Sequence, residues 1–241
     1  MRQMSDRGAA VAGAVAGYLS GSVSFSRIVG QRVAPGADLS TSRIAVDDEG
    51  TTIELRGITP TSVHAHGGAR AMLVAVGMEA AKAAIPTAAA RALLPGTPAA
   101  PAAAFGALVG HIAPVWSRFR GGYGVSAMLG GTLALDPVGL VVTAGGLSGV
   151  MRVTDEQRLM LLWPITVPVW GAVRGRRDLV AYGVAANLVY WARLLPELNR
   201  GLRPLLEKRR VGTSAGLDIT GAERERAADG EDGPETDQDG R

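Results

Sequence analysis

One stretch gathers most of the residues able to do chemistry. It reads Gly110-His111-Ile112-Ala113-Pro114-Val115-Trp116, then Ser117-Arg118-Phe119-Arg120-Gly121-Gly122-Tyr123-Gly124-Val125. Gly121, Gly122 and Gly124 let successive backbone N–H groups turn toward one point. Such a nest takes anions, phosphate in particular. A helix starting near Gly124 adds the positive end of its dipole, and Arg118 and Arg120 bring guanidinium donors for phosphate oxygens. The same residues also read as a tight interfacial turn flanked by ordinary arginines. His111 is either a polar site residue or a histidine satisfied by helix packing. Lys82 lies in an apolar segment with Glu79 three residues earlier on one helical face, so it is a functional charge or half of an internal pair. His64 and His66 lack a convincing third ligand, so no metal is expected. The chain has no cysteine, which excludes a disulfide scaffold, a cysteine nucleophile and a cysteine zinc site.

The elements that position these residues follow from where charge is missing. Of 241 residues, 20% are charged and 47% hydrophobic, and the mean hydropathy is +0.16. Those averages hide long gaps. Gly8–Ser26 and Ala92–Ser117 hold no Asp, Glu, Lys or Arg, and Gly121–Met151 holds only Asp136. A soluble helix carries charge on its wet face every turn or two, whereas a bilayer core takes roughly 20 apolar residues per helix. Leu159–Val173 and Leu179–Ala192 reach that length when Arg158, Arg174 and Arg193 snorkel. The expectation is therefore an all-α integral membrane protein with about seven transmembrane helices, over 8–30, 69–94, 98–117, 122–135, 137–152, 158–174 and 178–196. Asp136-Pro137 separates the fourth from the fifth, because proline restarts a helix. A soluble Ala-rich bundle and an N-terminal signal peptide are the alternatives for the body and for the first span.

The gaps are rich in Ala and Gly, and Gly13, Gly17 and Gly21 form a small-residue row suited to close packing in lipid. Arg32, Arg43, Arg56, Arg118, Arg120 and the basic run 200–210 share one side, which places loops one, three and five and the C-terminus in the cytoplasm and the N-terminus outside. The 174–177 arginines run against that count. Residues 1–210 are expected to be the membrane domain, with a cytoplasmic loop insertion at about 31–68, and 211–241 a disordered acidic tail. Within the insertion, Asp47-Asp48-Glu49-Gly50 followed by the alternating Thr51–Arg56 reads as a turn and a short strand, part of a small hairpin capping the site. The spacing of a calcium loop is absent.

The 110–125 string resembles the bacterial acyl-phosphate:glycerol-3-phosphate acyltransferases (the PlsY type), which carry Gly-His, Pro-Val, an aromatic residue and a Gly-Gly-Lys-Gly-Val run. Tyr18-Leu19-Ser20-Gly21-Ser22-Val23-Ser24-Phe25 is similar to their opening block. Glu79-Ala80-Ala81-Lys82-Ala83-Ala84-Ile85-Pro86 is similar to their Asp-x-x-Lys-Gly-x-x-Pro. The resemblance spans roughly residues 15–210 and implies a seven-helix fold with an external N-terminus. Four blocks depart from the pattern, one being the serines expected after the fifth helix, where Val153-Thr154-Asp155-Glu156 stand. Tyr123 stands where the lysine would be. The first-loop signature survives only as echoes, in Ser40-Thr41-Ser42-Arg43 and Thr59-Pro60-Thr61-Ser62-Val63. The C-terminal signature survives in Asn199, with Pro196 at its histidine.

The resemblance implies attack by the 1-hydroxyl of glycerol 3-phosphate on an acyl phosphate, releasing phosphate and lysophosphatidate for phospholipid synthesis. The acyl donor is already activated, so no protein nucleophile, cofactor or metal is called for. Two anions must be held and a proton removed. On this reading His111, Ser40, Arg43 and Asn199 are catalytic candidates. Ser42, Arg118, Arg120, Gly121, Gly122, Gly124 and Lys82 bind substrate. The partners are acyl phosphate, glycerol 3-phosphate and membrane lipid, not nucleic acid, at the cytoplasmic face of a bacterial cell membrane. A non-catalytic relative that binds lipid or a partner enzyme, and a small transporter, are the other readings.

Overall fold

The computed structural model describes the backbone of residues 5–45, 52–154 and 161–228, and the side chains of these apart from 42–45, 52, 53, 55, 154 and 204–228. Among the described residues the elements are α1 (Asp6–Gly21), α2 (Phe25–Val33), β1 (Thr41–Ala45), β2 (Thr52–Arg56), α3 (Pro60–Leu93), α4 (Ala99–Ile112), α5 (Val125–Leu135), α6 (Pro137–Thr154), α7 (Trp163–Val173) and α8 (Arg177–Ala228). Among the described residues three segments are long and apolar enough to cross a membrane: Asp6–Val33, Pro60–Leu93 and Ala99–Ser117. Val125–Leu135 and Pro137–Val153 are shorter and also apolar. Large apolar side chains face outward along the helices, among them Val15, Leu73, Val141, Val169 and Leu188, as suits helices solvated by lipid rather than water.

Residues 1–198 form one compact unit, and its tightest seam joins α1 to α4. A Cβ added at Gly13, Gly17 or Gly21 would collide with the carbonyl oxygens of Ala99, Ala103 and Ala107 respectively. One added at Gly106 or Gly110 would collide with those of Ala14 and Tyr18. The paired numbers rise together, so the two helices run parallel. With no side chain between the backbones, dispersion contacts replace the missing hydrophobic drive between apolar surfaces. The Gly13/Gly17/Gly21 row thus meets the alanine face of α4.

The first span departs from the single helix expected over 8–30. It breaks between Gly21 and Phe25 into α1 and α2. A break frees backbone donors and acceptors that an apolar interior cannot satisfy. Here charged side chains of α3 satisfy them. Lys82 Nζ donates to the Val23 carbonyl at 2.5 Å, and Glu79 Oε1 accepts from the Ser26 N–H at 2.7 Å. The carboxylate also sits at the positive end of α2's dipole.

The hairpin in the first loop is present. β1 and β2 are antiparallel, with Thr41 opposite Arg56 and Ala45 opposite Thr52. Its turn, with Asp47 to Gly50, lies outside the described residues. Thr59-Pro60-Thr61-Ser62, read above as an echo of a substrate-binding signature, forms the start of α3. Thr59 Oγ1 accepts from Ser62 N, and Thr59 N–H donates to Ser62 Oγ. This reciprocal cap satisfies two orphan donors, with Pro60 at the first turn where its missing N–H costs nothing. Gly68 (φ 73°) interrupts α3, so the helix expected from residue 69 is preceded by a separate turn of helix. The second unit, 199–241, holds the rest of α8, which continues to Ala228. The tail expected from 211 starts within that helix, and 229–241 lie outside the described residues.

Candidate functional site

The site is built around one buried carboxylate. Glu79, 1% exposed, accepts from Ser26 N and Ser26 Oγ on Oε1 at 2.7 and 2.9 Å. On Oε2 it meets Lys82 Nζ at 2.5 Å and His111 Nδ1 at 3.1 Å. Three helices, α2, α3 and α4, therefore converge on a single group. Four partners for one carboxylate are what a charge needs to be held away from water. Lys82 is spoken for twice, by Glu79 and the Val23 carbonyl. These contacts brace the broken span.

His111 completes the pair. Its Nδ1 faces the Glu79 carboxylate, so Nδ1 is the nitrogen that carries the proton, and Nε2 is left as an acceptor in the neutral ring. Nε2 points at Gly122, where an added Cβ would lie 2.6 Å from it. A small polar cavity behind the loop is lined by Ser22, Glu79, Lys82, His111, Gly121 and Gly122.

In front lies a larger pocket of about 740 Å³. Arg27, Arg56, Arg120 and Arg193 line it, together with Gln31, Asp38, Ser40, Thr41 and Phe119. Gly121 and Ile58 line both cavities. Four guanidiniums against one carboxylate make the pocket a site for anions. The Ser40 side chain and N–H hold the Asp38 carboxyl below the usual range, against slight desolvation. Asp38 therefore stays charged and opposes anions on its own side of the pocket.

The glycine loop proves to be packed rather than open. The Gly122 N–H donates to the His111 carbonyl at 3.3 Å. An added Cβ at Gly121 would strike the His111 and Ile112 carbonyls, and one at Gly124 would strike Leu108 Cδ1. Gly124 has φ 95° and precedes α5. These glycines let the loop lie against the end of α4, and Gly121 also lines the pocket with the arginines. Arg118 and Phe119 carry positive φ, 52° and 61°. Arg118 is exposed, and the pocket lining includes Arg120 rather than Arg118.

Of the other expected site residues, Ser40 lines the pocket. Ser42 and Arg43 lie on β1, and their side chains are outside the described set. Asn199 is exposed on α8 and belongs to the second unit. Tyr123, which stands where the family's lysine would be, is buried. Its hydroxyl donates to the Arg56 carbonyl at 3.0 Å, and the Arg193 guanidinium stacks over its ring at 4.9 Å. Sequence reasoning missed Arg27, Arg56 and Arg193 as pocket residues, because they come from α2, β2 and α8 and share no motif. Glu79 was visible as a partner for Lys82 but not as the hub.

Comparison with known proteins gives one consistent result. Residues 11–202 match the protein family described as glycerol-3-phosphate acyltransferase. The glycerol-3-phosphate acyltransferase of Anaeromyxobacter sp. (strain Fw109-5) is 35% identical over 159 residues, covering 63% of this chain and 72% of that one. That of Cereibacter sphaeroides (strain ATCC 17025 / ATH 2.4.3) is 32% identical over 201 residues, covering 81% and 89%. Two crystal structures of PlsY (YgiH), an integral membrane glycerol 3-phosphate acyltransferase, share the fold. The glycerol 3-phosphate form superposes with a TM-score of 0.68 at 20% identity, over 82% of this chain and 94% of that one. The lysophosphatidic acid form gives 0.65 at 19%.

Proposed function

This chain belongs to the glycerol-3-phosphate acyltransferase family, and we propose on that premise that it moves a fatty acyl group from acyl phosphate to the 1-hydroxyl of glycerol 3-phosphate. The observation that carries the proposal is the pocket with four arginines in front of the Glu79–His111 pair. Both substrates bear phosphate, and a pocket that neutralises two anions brings together reactants that repel each other in water. The hydroxyl oxygen bonds to the acyl carbon, the acyl–phosphate bond breaks, and inorganic phosphate leaves with the electron pair. His111 Nε2 is the base the site offers for the hydroxyl proton. Glu79 sets its tautomer and stabilises the imidazolium formed. Arg27, Arg56 and Arg120 hold phosphate, and Ser40 contacts substrate at the pocket wall. Arg43 and Asn199 keep the catalytic roles, and Ser42, Arg118, Gly121, Gly122, Gly124 and Lys82 the substrate-binding roles, that the family resemblance implies.

The same reading makes the chain a multi-pass protein of a bacterial cell membrane, with seven crossings and an external N-terminus. The pocket then faces the cytoplasm. It is supported by Arg56 of the first loop and Arg120 of the third, which line the pocket. Residues 1–210 act as the membrane domain and 211–241 as an acidic extension. The protein purified in detergent should release phosphate from acyl phosphate only when glycerol 3-phosphate is present, and form lysophosphatidate in equal amount. A folded protein that releases none refutes the proposal.

A further inference from the structure

We propose that Arg193 of α8 is the cation that anchors a substrate phosphate beside Tyr123, at the position where the Gly-Gly-Lys-Gly run of the family carries a lysine. The inference rests on the acyltransferase reading of the pocket and assigns it a binding residue outside every motif of the sequence. Tyr123 cannot supply positive charge at neutral pH. It supplies a platform instead. Its ring lies under the Arg193 guanidinium at 4.9 Å, within the range of cation–π attraction. Arg193 Nη2 donates to the Arg56 carbonyl at 2.9 Å, the same oxygen that accepts the Tyr123 hydroxyl. Arg193 Nη1 donates to Glu197 Oε1 at 3.0 Å.

Those contacts hold the guanidinium plane still from three sides. They use two of its five N–H donors, and the side chain remains 29% exposed at the pocket wall. A guanidinium so held loses little further entropy when it binds a planar pair of phosphate oxygens. Glu197 trims its net charge, so the role calls for the fork of donors more than for bare charge. The charge here is carried by a helix, and it lines the same pocket as Gly121 and Arg120. The chemistry recognised is a phosphate monoester or acyl phosphate, and the test separates the two.

The experiment uses the full chain in detergent. Isothermal titration with inorganic phosphate and with glycerol 3-phosphate compares the wild type, Arg193→Gln, Arg193→Lys and Arg193→Gln with Tyr123→Lys. Arg193→Gln removes the charge and the fork of donors while keeping a polar side chain on α8. It should weaken the affinity by about 10- to 100-fold, as expected for one charge-assisted contact, while the melting temperature holds. Arg193→Lys should lose less, and the double variant should recover most of the loss. In turnover assays the KM that rises, for glycerol 3-phosphate or for acyl phosphate, names the phosphate that is held. As a measurement needing no variant, phenylglyoxal should modify Arg193 of the wild type, and glycerol 3-phosphate or inorganic phosphate should protect it. Unchanged affinity in Arg193→Gln, or an adduct at Arg193 that neither ligand prevents, overturns the proposal. A wild type that binds phosphate through Arg193 yet never turns over would overturn the acyltransferase reading and leave the anchor standing.

Discussion

Replacing Glu79 by methionine should be among the most damaging single changes in the chain. The carboxylate accepts from two atoms of Ser26 at 2.7 and 2.9 Å and meets Lys82 at 2.5 Å and His111 at 3.1 Å. Methionine is close in length and removes all four contacts together. Lys82, 5% exposed, would keep only the Val23 carbonyl, and the first turn of α2 would lose its partner. Removing one member of a buried ion pair costs about 3–5 kcal/mol, most of it from the stranded charge. For a domain of this size, that corresponds to a fall in melting temperature of about 6–20 °C. Thermal unfolding in detergent, followed by tryptophan fluorescence, measures it. If the stranded ammonium is the cause, Glu79→Met with Lys82→Met should melt well above Glu79→Met alone, since a hydrophobic pair of similar volume removes both desolvated charges. A single variant within about 2 °C of the wild type, or a double variant no more stable than the single, would refute the reasoning.

Gly17→Ala should destabilise by about 1–3 kcal/mol, because its Cβ has no room against the Ala103 carbonyl and overpacking must part α1 from α4. Gly77→Ala, with nothing within 4 Å, should be neutral or gain up to about 1 kcal/mol from helix propensity; chemical denaturation of both variants makes the comparison. Asp136 caps the turn between α5 and α6. Its burial would raise the carboxyl, but the Gly139 N–H, the Trp170 N–H and Arg176 outweigh it and hold it below the usual range. A carboxyl lowered in the folded state adds stability above its unfolded pKa, near 4, and loses it as pH falls through the folded value. Asp136→Asn should therefore narrow the stability gap to the wild type as unfolding is measured at successively lower pH below about 4. His111→Gln should cut the turnover rate by about 10²–10⁴-fold if Nε2 is the base, with a smaller change in KM; an unchanged rate would remove His111 from the chemistry.

The helices and the seam between them were largely legible from composition by position. Stretches without charge mark where lipid solvates the chain, and Asp136-Pro137 divides α5 (to Leu135) from α6 (from Pro137), because proline lacks the donor and sterically blocks the preceding turn. The Gly13/Gly17/Gly21 row announced a close approach, though not that α4 would supply the other side. The hairpin showed in the alternation of Thr51 to Arg56. The break at Ser22–Ser24 was not legible. That run holds no proline and no charge, and what makes the break tolerable is an ion pair on α3 whose nearer member is 53 positions from Ser26.

The site divides along the same line. Its most local part, the loop after His111, carries a motif because the close packing of Gly121, Gly122 and Gly124 against α4 constrains neighbours in the chain. The pocket in front carries none beyond Arg120, since Arg27, Arg56 and Arg193 join it only after α2, β2, the third loop and α8 have packed. The loop's glycines read as an anion site; they also let the loop pack against the end of α4, where the Gly122 N–H donates to the His111 carbonyl. Transfer from water to lipid and backbone sterics are properties of short stretches, so helix positions and the glycine seam could be read residue by residue. Which charges meet, and which way His111 presents its free nitrogen, depend on contacts between residues distant in the chain, and these exist only once the helices are assembled.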